Sequence, residues 1–142
     1  MTIKAILQGR EGAVHSIKTT ATLRDAVAML AEKRIGAMPV ADGDKVLGII
    51  SERDVLYGVA REGAAVLDRS IAEVMISPAI TVGSDTEVMD ALALMTLRRI
   101  RHLPVVDGGS LTGFVSIGDL VKYRIDRIEA EATALRDYIQ MA

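Results

Sequence analysis

No cysteine occurs in this chain, which removes a disulfide framework, a thiolate nucleophile and any thiolate metal site together. That absence is compatible with a reducing compartment. Tryptophan is also missing, and the aromatics amount to Phe114, Tyr57, Tyr123 and Tyr138, too few for a platform that stacks single-stranded bases. Neither charge sign dominates. Seventeen Lys and Arg stand against 19 Asp and Glu, a net charge of −2, which argues against a bulk electrostatic grip on nucleic acid or anionic lipid. No run approaches the ~20 apolar residues of a membrane-spanning helix. Residues 1–10 lack the apolar stretch of a secretory signal. A cytoplasmic location is therefore expected, with neither membrane nor nucleic acid as partner. Only His15 and His102 represent histidine, and there is no His-x-x-x-His pair, Gly-x-Ser-x-Gly elbow or phosphate-binding Gly-x-x-x-x-Gly-Lys-Ser/Thr loop. No catalytic residues and no metal site are expected, and the chain does not read as an enzyme. What remains is ordinary material for a core: 142 residues, 50% of them hydrophobic and 25% charged. A chain of this size buries roughly 70% of its unfolded surface.

Sliding the sequence against itself exposes a repeat. Shifted by 65 positions, residues 20–56 match residues 85–121 without a gap, with 12 identities in 37 positions. Asp25, Ala26 and Ala28 fall on Asp90, Ala91 and Ala93, and Arg34-Ile35 on Arg99-Ile100. Pro39-Val40 falls on Pro104-Val105, Asp42-Gly43 on Asp107-Gly108, Gly48 on Gly113, Ser51 on Ser116 and Asp54 on Asp119.

Within the unit, Leu23, Ala26, Val27 and Leu30 share one helix face, with Thr22 as N-cap, and Val88, Ala91, Leu92 and Met95 repeat that stripe. Each helix ends in a basic turn, Lys33-Arg34 or Arg98-Arg99, suited to the negative end of its dipole. A strand ending in Pro-Val follows, then an Asp-Gly turn and a second strand, which together predict a hairpin. A second helix starts at Ser51 or Ser116. Extended segments, residues 13–17 and 79–82, precede the first helices, and residues 68–75 between the copies read as a short capped helix. The expected fold is α/β (α+β). It has two β-α-β-β-α repeats, residues 7–68 and 74–131, packed sheet to sheet about a pseudo-twofold axis, with clefts at the seams. Each half alone, at about 60 residues, is marginal.

The richest polar signal is Ser51-Glu52-Arg53-Asp54 and its copy Ser116-Ile117-Gly118-Asp119. One reading is a Ser-x-x-Asp capping box that satisfies the first N–H groups of a helix. The other is a ligand corner, in which the carboxylate accepts from ribose hydroxyls while the serine and helix N–H groups face phosphate. A cap can be surrendered to a ligand, so the two are compatible.

The doubled Pro-Val…Asp-Gly…Gly-Ile/Phe-Ile/Val-Ser-x-x-Asp pattern resembles the cystathionine-β-synthase (CBS) domain, present as a tandem pair over about residues 4–127. The resemblance implies a Bateman module, a stand-alone regulatory fold that binds adenine nucleotides such as AMP, ATP, NAD or S-adenosylmethionine, with no cofactor required. It implies frequent association into disc-shaped dimers. Ser51 and Asp54, beside Ile50, match the ribose- and phosphate-contacting residues of one cleft; Ser116 and Asp119, beside Phe114 and Val115, match those of the other. The stretch before each Pro-Val strand is Gly36-Ala37 in the first copy and Arg101-His102 in the second, and in the family it lines the cleft and supplies basic contacts. On that basis the Asp119 cleft ranks first for an anion, while Arg53 offers the Asp54 cleft a phosphate partner. Ala13 and Val14, and Pro78 and Ala79, match segments that wall the adenine. Arg101 and His102 each keep a bland alternative, a solvated arginine and a packed histidine, and His15 reads as structural.

Beyond the second copy, Val121, Ile125, Ile128, Ala132, Leu135 and Ile139 form an a/d seam within a helix spanning residues 117–141. It either packs on its own module or joins two subunits; a homodimer is the favoured expectation. A ligand-free dimerisation or protein-interaction scaffold, with the serine–aspartate pairs acting only as caps, is the alternative function. The regulated protein partner is not legible.

Overall fold

In the computed structural model, which describes residues 1–10 and 12–141, the doubled pattern becomes two matching hairpin-and-helix units. Helix α2 (Leu23–Lys33) buries Leu23, Ala26 and Leu30. Its start is a capping box, with Asp25 N–H donating to Thr22 Oγ1 at 3.2 Å and Thr22 N–H to Asp25 Oδ2 at 3.0 Å. Strands β1 (Ala37–Asp42) and β2 (Lys45–Ser51) pair antiparallel, and α3 (Glu52–Glu62) leaves β2 at Ser51. The second unit repeats this as α5 (Val88–Arg98), β3 (His102–Asp107), β4 (Ser110–Ser116) and α6 (Ile117–Met141). Both hairpins carry a bulge at the same place, Val40/Ala41 and Val105/Val106. The turns differ slightly: Gly43 alone has positive φ in the first, Gly108 and Gly109 both do in the second.

The first strand expected in each β-α-β-β-α repeat does not join its hairpin as a full strand, and each sheet has two strands. The upstream extended segments touch β1 and β3 only through single parallel bridges, Ile17 to Val40 and Val82 to Val105. Proline is the reason. Ile17 N–H donates to Pro39 C=O and Ile17 C=O accepts from Ala41 N–H, so this edge of β1 is the one that Pro39 N faces. The next parallel bond would need a donor from Pro39, which has none; Pro104 ends the second ladder in the same way.

A helix not anticipated from sequence, α1 (Ile3–Leu7), extends the symmetry. Ile3 N–H donates to Thr86 C=O, and Val88 N–H to Met1 C=O. In the first unit, Ile71 N–H donates to Ala21 C=O, and Leu23 N–H to Arg69 C=O, at the start of α4 (Ile71–Val74). Helix α4 lies within the segment expected to be helical, but Ser70 makes no side-chain cap, and a 3₁₀ turn (Gly63–Asp68) precedes it. The N-terminal α1 therefore completes the second unit, with Ile3 in its core beside Val88, Met95, Leu103 and Leu120, while α4 completes the first. Each large side chain fully buried in this way contributes roughly 1.5–3 kcal/mol. This exchange of helices ties the units together, as do bonds from Leu111 N–H to Asp44 C=O and from Ser110 Oγ to Asp44 Oδ2, both 2.7 Å. Helix α6 anchors through Leu120, and every residue from 125 to 141 is exposed.

Candidate functional site

Both serine–aspartate pairs form caps. Asp54 Oδ2 accepts from Ser51 N–H and Ser51 Oγ–H, each at 2.9 Å, and Asp54 N–H donates to Ser51 Oγ at 3.3 Å. Asp119 Oδ2 accepts from Ser116 N–H at 2.8 Å, and Asp119 N–H donates to Ser116 Oγ at 3.1 Å. The second corner has one more member. Arg10 donates from Nη2 to Asp119 Oδ2 and from Nη1 to Phe114 C=O, both at 2.6 Å. Burial opposes ionisation of Asp119, but the Ser116 N–H and the Arg10 guanidinium together outweigh it and hold the carboxyl below its ordinary range.

Two clefts open where the units meet. The larger, about 610 Å³, contains Ser116 and Asp119 and is walled by Ala13, Val14 and His15 from the first unit, with Phe114 opposite. The smaller, about 260 Å³, contains Ser51 and Asp54 and is walled by Pro78, Ala79 and Ile80, with Ile49 and Ile76. Gly36, Ala37 and His102 line both clefts. The His102 ring stacks on Phe114 with centroids 5.5 Å apart and planes 11° from parallel. Burial pushes the His102 pKa down and Arg101 adds to this, against the pull of Asp119 and Glu52, so the imidazole favours its neutral form. Arginines line both clefts. Arg10 and Arg34 line the larger cleft, and Arg53, Arg99 and Arg101 the smaller. Arg34 and Arg99 end α2 and α5 in the left-handed conformation, φ 53° and 55°, a place where glycine is the unstrained choice. Such a corner can accept from a polyol at its carboxylate, hold an anion at its guanidinium groups and cover an apolar ring with aliphatic side chains. Among the described residues no three His, Cys, Asp or Glu side chains gather as a metal-ligand group.

A family model for the CBS domain matches residues 12–61 and again 71–126. The chain belongs to the CBS-domain family. The CBS pair is 35% identical over 127 residues to the CBS domain-containing protein CBSX3, mitochondrial, of Arabidopsis thaliana, covering 86% of this chain and 62% of that protein's length. A solved structure described as a putative signal-transduction protein with CBS domains from Burkholderia ambifaria superposes with a TM-score of 0.82 at 36% identity, covering 89% of this chain and 95% of that one. CBSX2, solved in complex with AMP, superposes with a TM-score of 0.75 at 25% identity, covering 88% and 96%. Among the described residues of the CBS pair no helix is long and apolar enough to cross a membrane.

The seams of the CBS pair gather most of the residues singled out from sequence, with three corrections. Ile50 and Val115 do not line a cleft: both side chains are fully buried in the two cores. Strand alternation sends their neighbours Ile49 and Phe114 to the seam instead. Arg101 lines the Asp54 cleft rather than the Asp119 cleft. Its carbonyl stays at its own helix start, accepting from Ile117 N–H at 2.8 Å. The ranking of the Asp119 cleft as the more basic one loses its ground with that placement. His15, read as structural, is exposed and lines the larger cleft. Arg10, Arg34 and Arg99 were not assigned to a cleft from sequence. For Arg34 and Arg99 a signal existed, since the repeat superposes them at the residue after each first helix.

Proposed function

We propose that this CBS pair is a non-catalytic regulatory module that binds an adenine nucleotide of the AMP, ATP or NAD type at its seams and signals through the geometry of a homodimer. One observation carries the reading: each seam brings a capping carboxylate, arginine side chains and an aliphatic wall from the opposite unit into one cleft. Ribose hydroxyls donate to Asp54 or Asp119, phosphate meets Arg53, Arg99 and Arg101 in the one cleft or Arg34 in the other, and adenine lies against Ala13 and Val14 or Pro78 and Ala79. Ser51 and Ser116, with the N–H groups of the helix starts, face the phosphate side. Gly36 leaves space at the seam, since a Cβ there would sit 3.3 Å from Glu52 Oε1 and 3.6 Å from His102 Cε1. S-adenosylmethionine presents the same adenosine and is a further candidate ligand. The AMP complex of the similar CBSX2 supports the adenine class.

The dimer rests on α6. Ile125, Ile128, Leu135 and Ile139 are 49%, 49%, 61% and 62% exposed on one a/d stripe, which is the pattern of a helix awaiting a second helix. Equilibrium dialysis with near-millimolar AMP, ATP and NAD tests the nucleotide reading. Uptake is expected for the wild type, with loss at one cleft in Asp54→Ala and at the other in Asp119→Ala; no uptake of any of the three refutes it. A second reading, a ligand-free scaffold, is favoured by the fact that both aspartates are already satisfied as caps. It expects each alanine variant to lose about 1 kcal/mol of stability while no nucleotide raises the melting temperature.

A further inference from the structure

The repeat makes the two corners equivalent by motif, yet among the described residues only one of them holds a resident cation. The difference starts in chain length. Leu7 and Met75 occupy matching places, each packed where a Cβ on the strand glycine, Gly113 or Gly48, would collide with it. Six positions separate Leu7 from Ala13, but only three separate Met75 from Pro78, although Ala13 and Pro78 superpose under the repeat. Arg10 lies in this longer connection. Its guanidinium spans two acceptors at the mouth of the larger cleft, the Asp119 carboxylate and the Phe114 carbonyl, at 2.6 Å each. Asp54 takes its hydrogen bonds from Ser51 alone, and no lysine or arginine lies within ion-pair distance of it among the described residues.

We propose that Arg10 is a tethered occupant of the Asp119 corner, so that the two clefts take nucleotide unequally, the Asp54 cleft readily and the Asp119 cleft only when the ligand displaces this guanidinium. The inference rests on the nucleotide reading above. A guanidinium bridging carboxylate and carbonyl makes the same donor contacts that sugar hydroxyls make to a carboxylate, and it is held by the protein at high effective concentration. Asp119 and Arg10 are 35% and 40% exposed, so the pair is partly hydrated and yields to a ligand of sufficient affinity. The roomier cleft is thereby the weaker site, the reverse of an order set by volume. Arg10 is a positioning and selectivity residue of this cleft, since it acts by competing for Asp119.

Calorimetric titration with AMP, one cleft at a time, tests this. In an Asp54→Ala background, which leaves the Asp119 cleft, adding Arg10→Met is expected to tighten AMP binding about tenfold, the scale of one charge-assisted contact. Arg10→Lys, which keeps the charge but cannot fork across both acceptors, is expected to fall between. In an Asp119→Ala background Arg10→Met is expected to change nothing. Unchanged or weaker AMP binding on adding Arg10→Met to Asp54→Ala overturns the inference and makes Arg10 a bystander or a ligand contact. AMP bound by the wild type but not by the Asp54→Ala, Arg10→Met protein overturns it as well. Absence of AMP binding from the wild type and from Arg10→Met refutes the nucleotide reading, and this inference with it.

Discussion

Gly48 and Gly113 occupy the same place in the two hairpins, and the fold predicts different costs for giving each a methyl group. A Cβ on Gly48 would lie 2.6 Å from the Ile76 carbonyl oxygen and 2.9 Å from Met75 Sδ. The carbonyl cannot withdraw freely, because Ile49 and Ile76 exchange two backbone hydrogen bonds of 3.0 and 2.9 Å immediately beside it. Overpacking with partial loss of that bridge amounts to about 2–4 kcal/mol, or roughly 10 °C in melting temperature for a domain of this size. The nearest atoms to a Cβ on Gly113 are Leu7 Cδ1 and Cδ2, at 2.7 and 2.8 Å, with Leu7 Cγ at 3.3 Å. These are the ends of a rotatable side chain on a five-residue helix, and the cost is about 1 kcal/mol. Urea unfolding of Gly48→Ala and Gly113→Ala measures the two costs directly. Because Leu7 leads into the connection that carries Arg10, Gly113→Ala is also expected to loosen the Arg10–Asp119 pair. Equal destabilisation by the two substitutions, or a larger loss at Gly113, would refute the account of how α1 and α4 edge their hairpins.

Replacing the left-handed Arg34 or Arg99 by glycine relieves backbone strain and is expected to raise stability by about 0.5–1 kcal/mol while weakening nucleotide binding; a loss of stability measured by urea unfolding would contradict this. Stability is expected to fall with acid, because the pKa values of His102 and Asp119 both lie below their ordinary values of 6.5 and 3.8. In each case the folded state binds fewer protons than the unfolded one, so the His102 loss begins as pH drops below its unfolded value. The Asp119 contribution is complete above its unfolded value and disappears as pH falls through the folded one. Urea midpoints at about pH 7.5 and about pH 5.5 should therefore differ in the wild type and converge in His102→Gln; an unchanged gap would contradict the assignment. Ile128→Glu or Leu135→Glu places a charge in the α6 seam and is expected to convert a dimer to monomer by light scattering, and an unaltered mass would remove α6 from the interface.

Local patterns in the sequence carried much of this structure. Thr22 as N-cap, the Ser51–Asp54 box, the Asp-Gly hairpins and the helix of α6 each act over a few residues, and each forms as its spacing implies, although the strands run past Pro-Val to Asp42 and Asp107. The alternation along β4 also holds the information that Phe114 and Val115 face opposite ways, so the core positions of Val115 and Ile50 are legible in the sequence. Other features depend on how the units meet. Which cleft receives Arg101 depends on how the units meet, since its strand belongs to the second unit and the cleft it lines holds Asp54 of the first. The pairing of Arg10 with Asp119 joins residues from opposite ends of the repeat and has no local signature. The loss of the third strand lies between, for the missing donor of Pro39 and Pro104 is visible in sequence, but the edge it faces is known only once the hairpins are in place.

The central claim is that the seams of this CBS pair are adenosine sites built around capping carboxylates. A crystal structure of the wild type grown with saturating AMP tests it most directly. The predicted result is a ribose within hydrogen-bond distance of the Asp54 carboxylate, with phosphate toward Arg53, Arg99 or Arg101. Empty clefts at saturation, or AMP bound away from both aspartates, would contradict it.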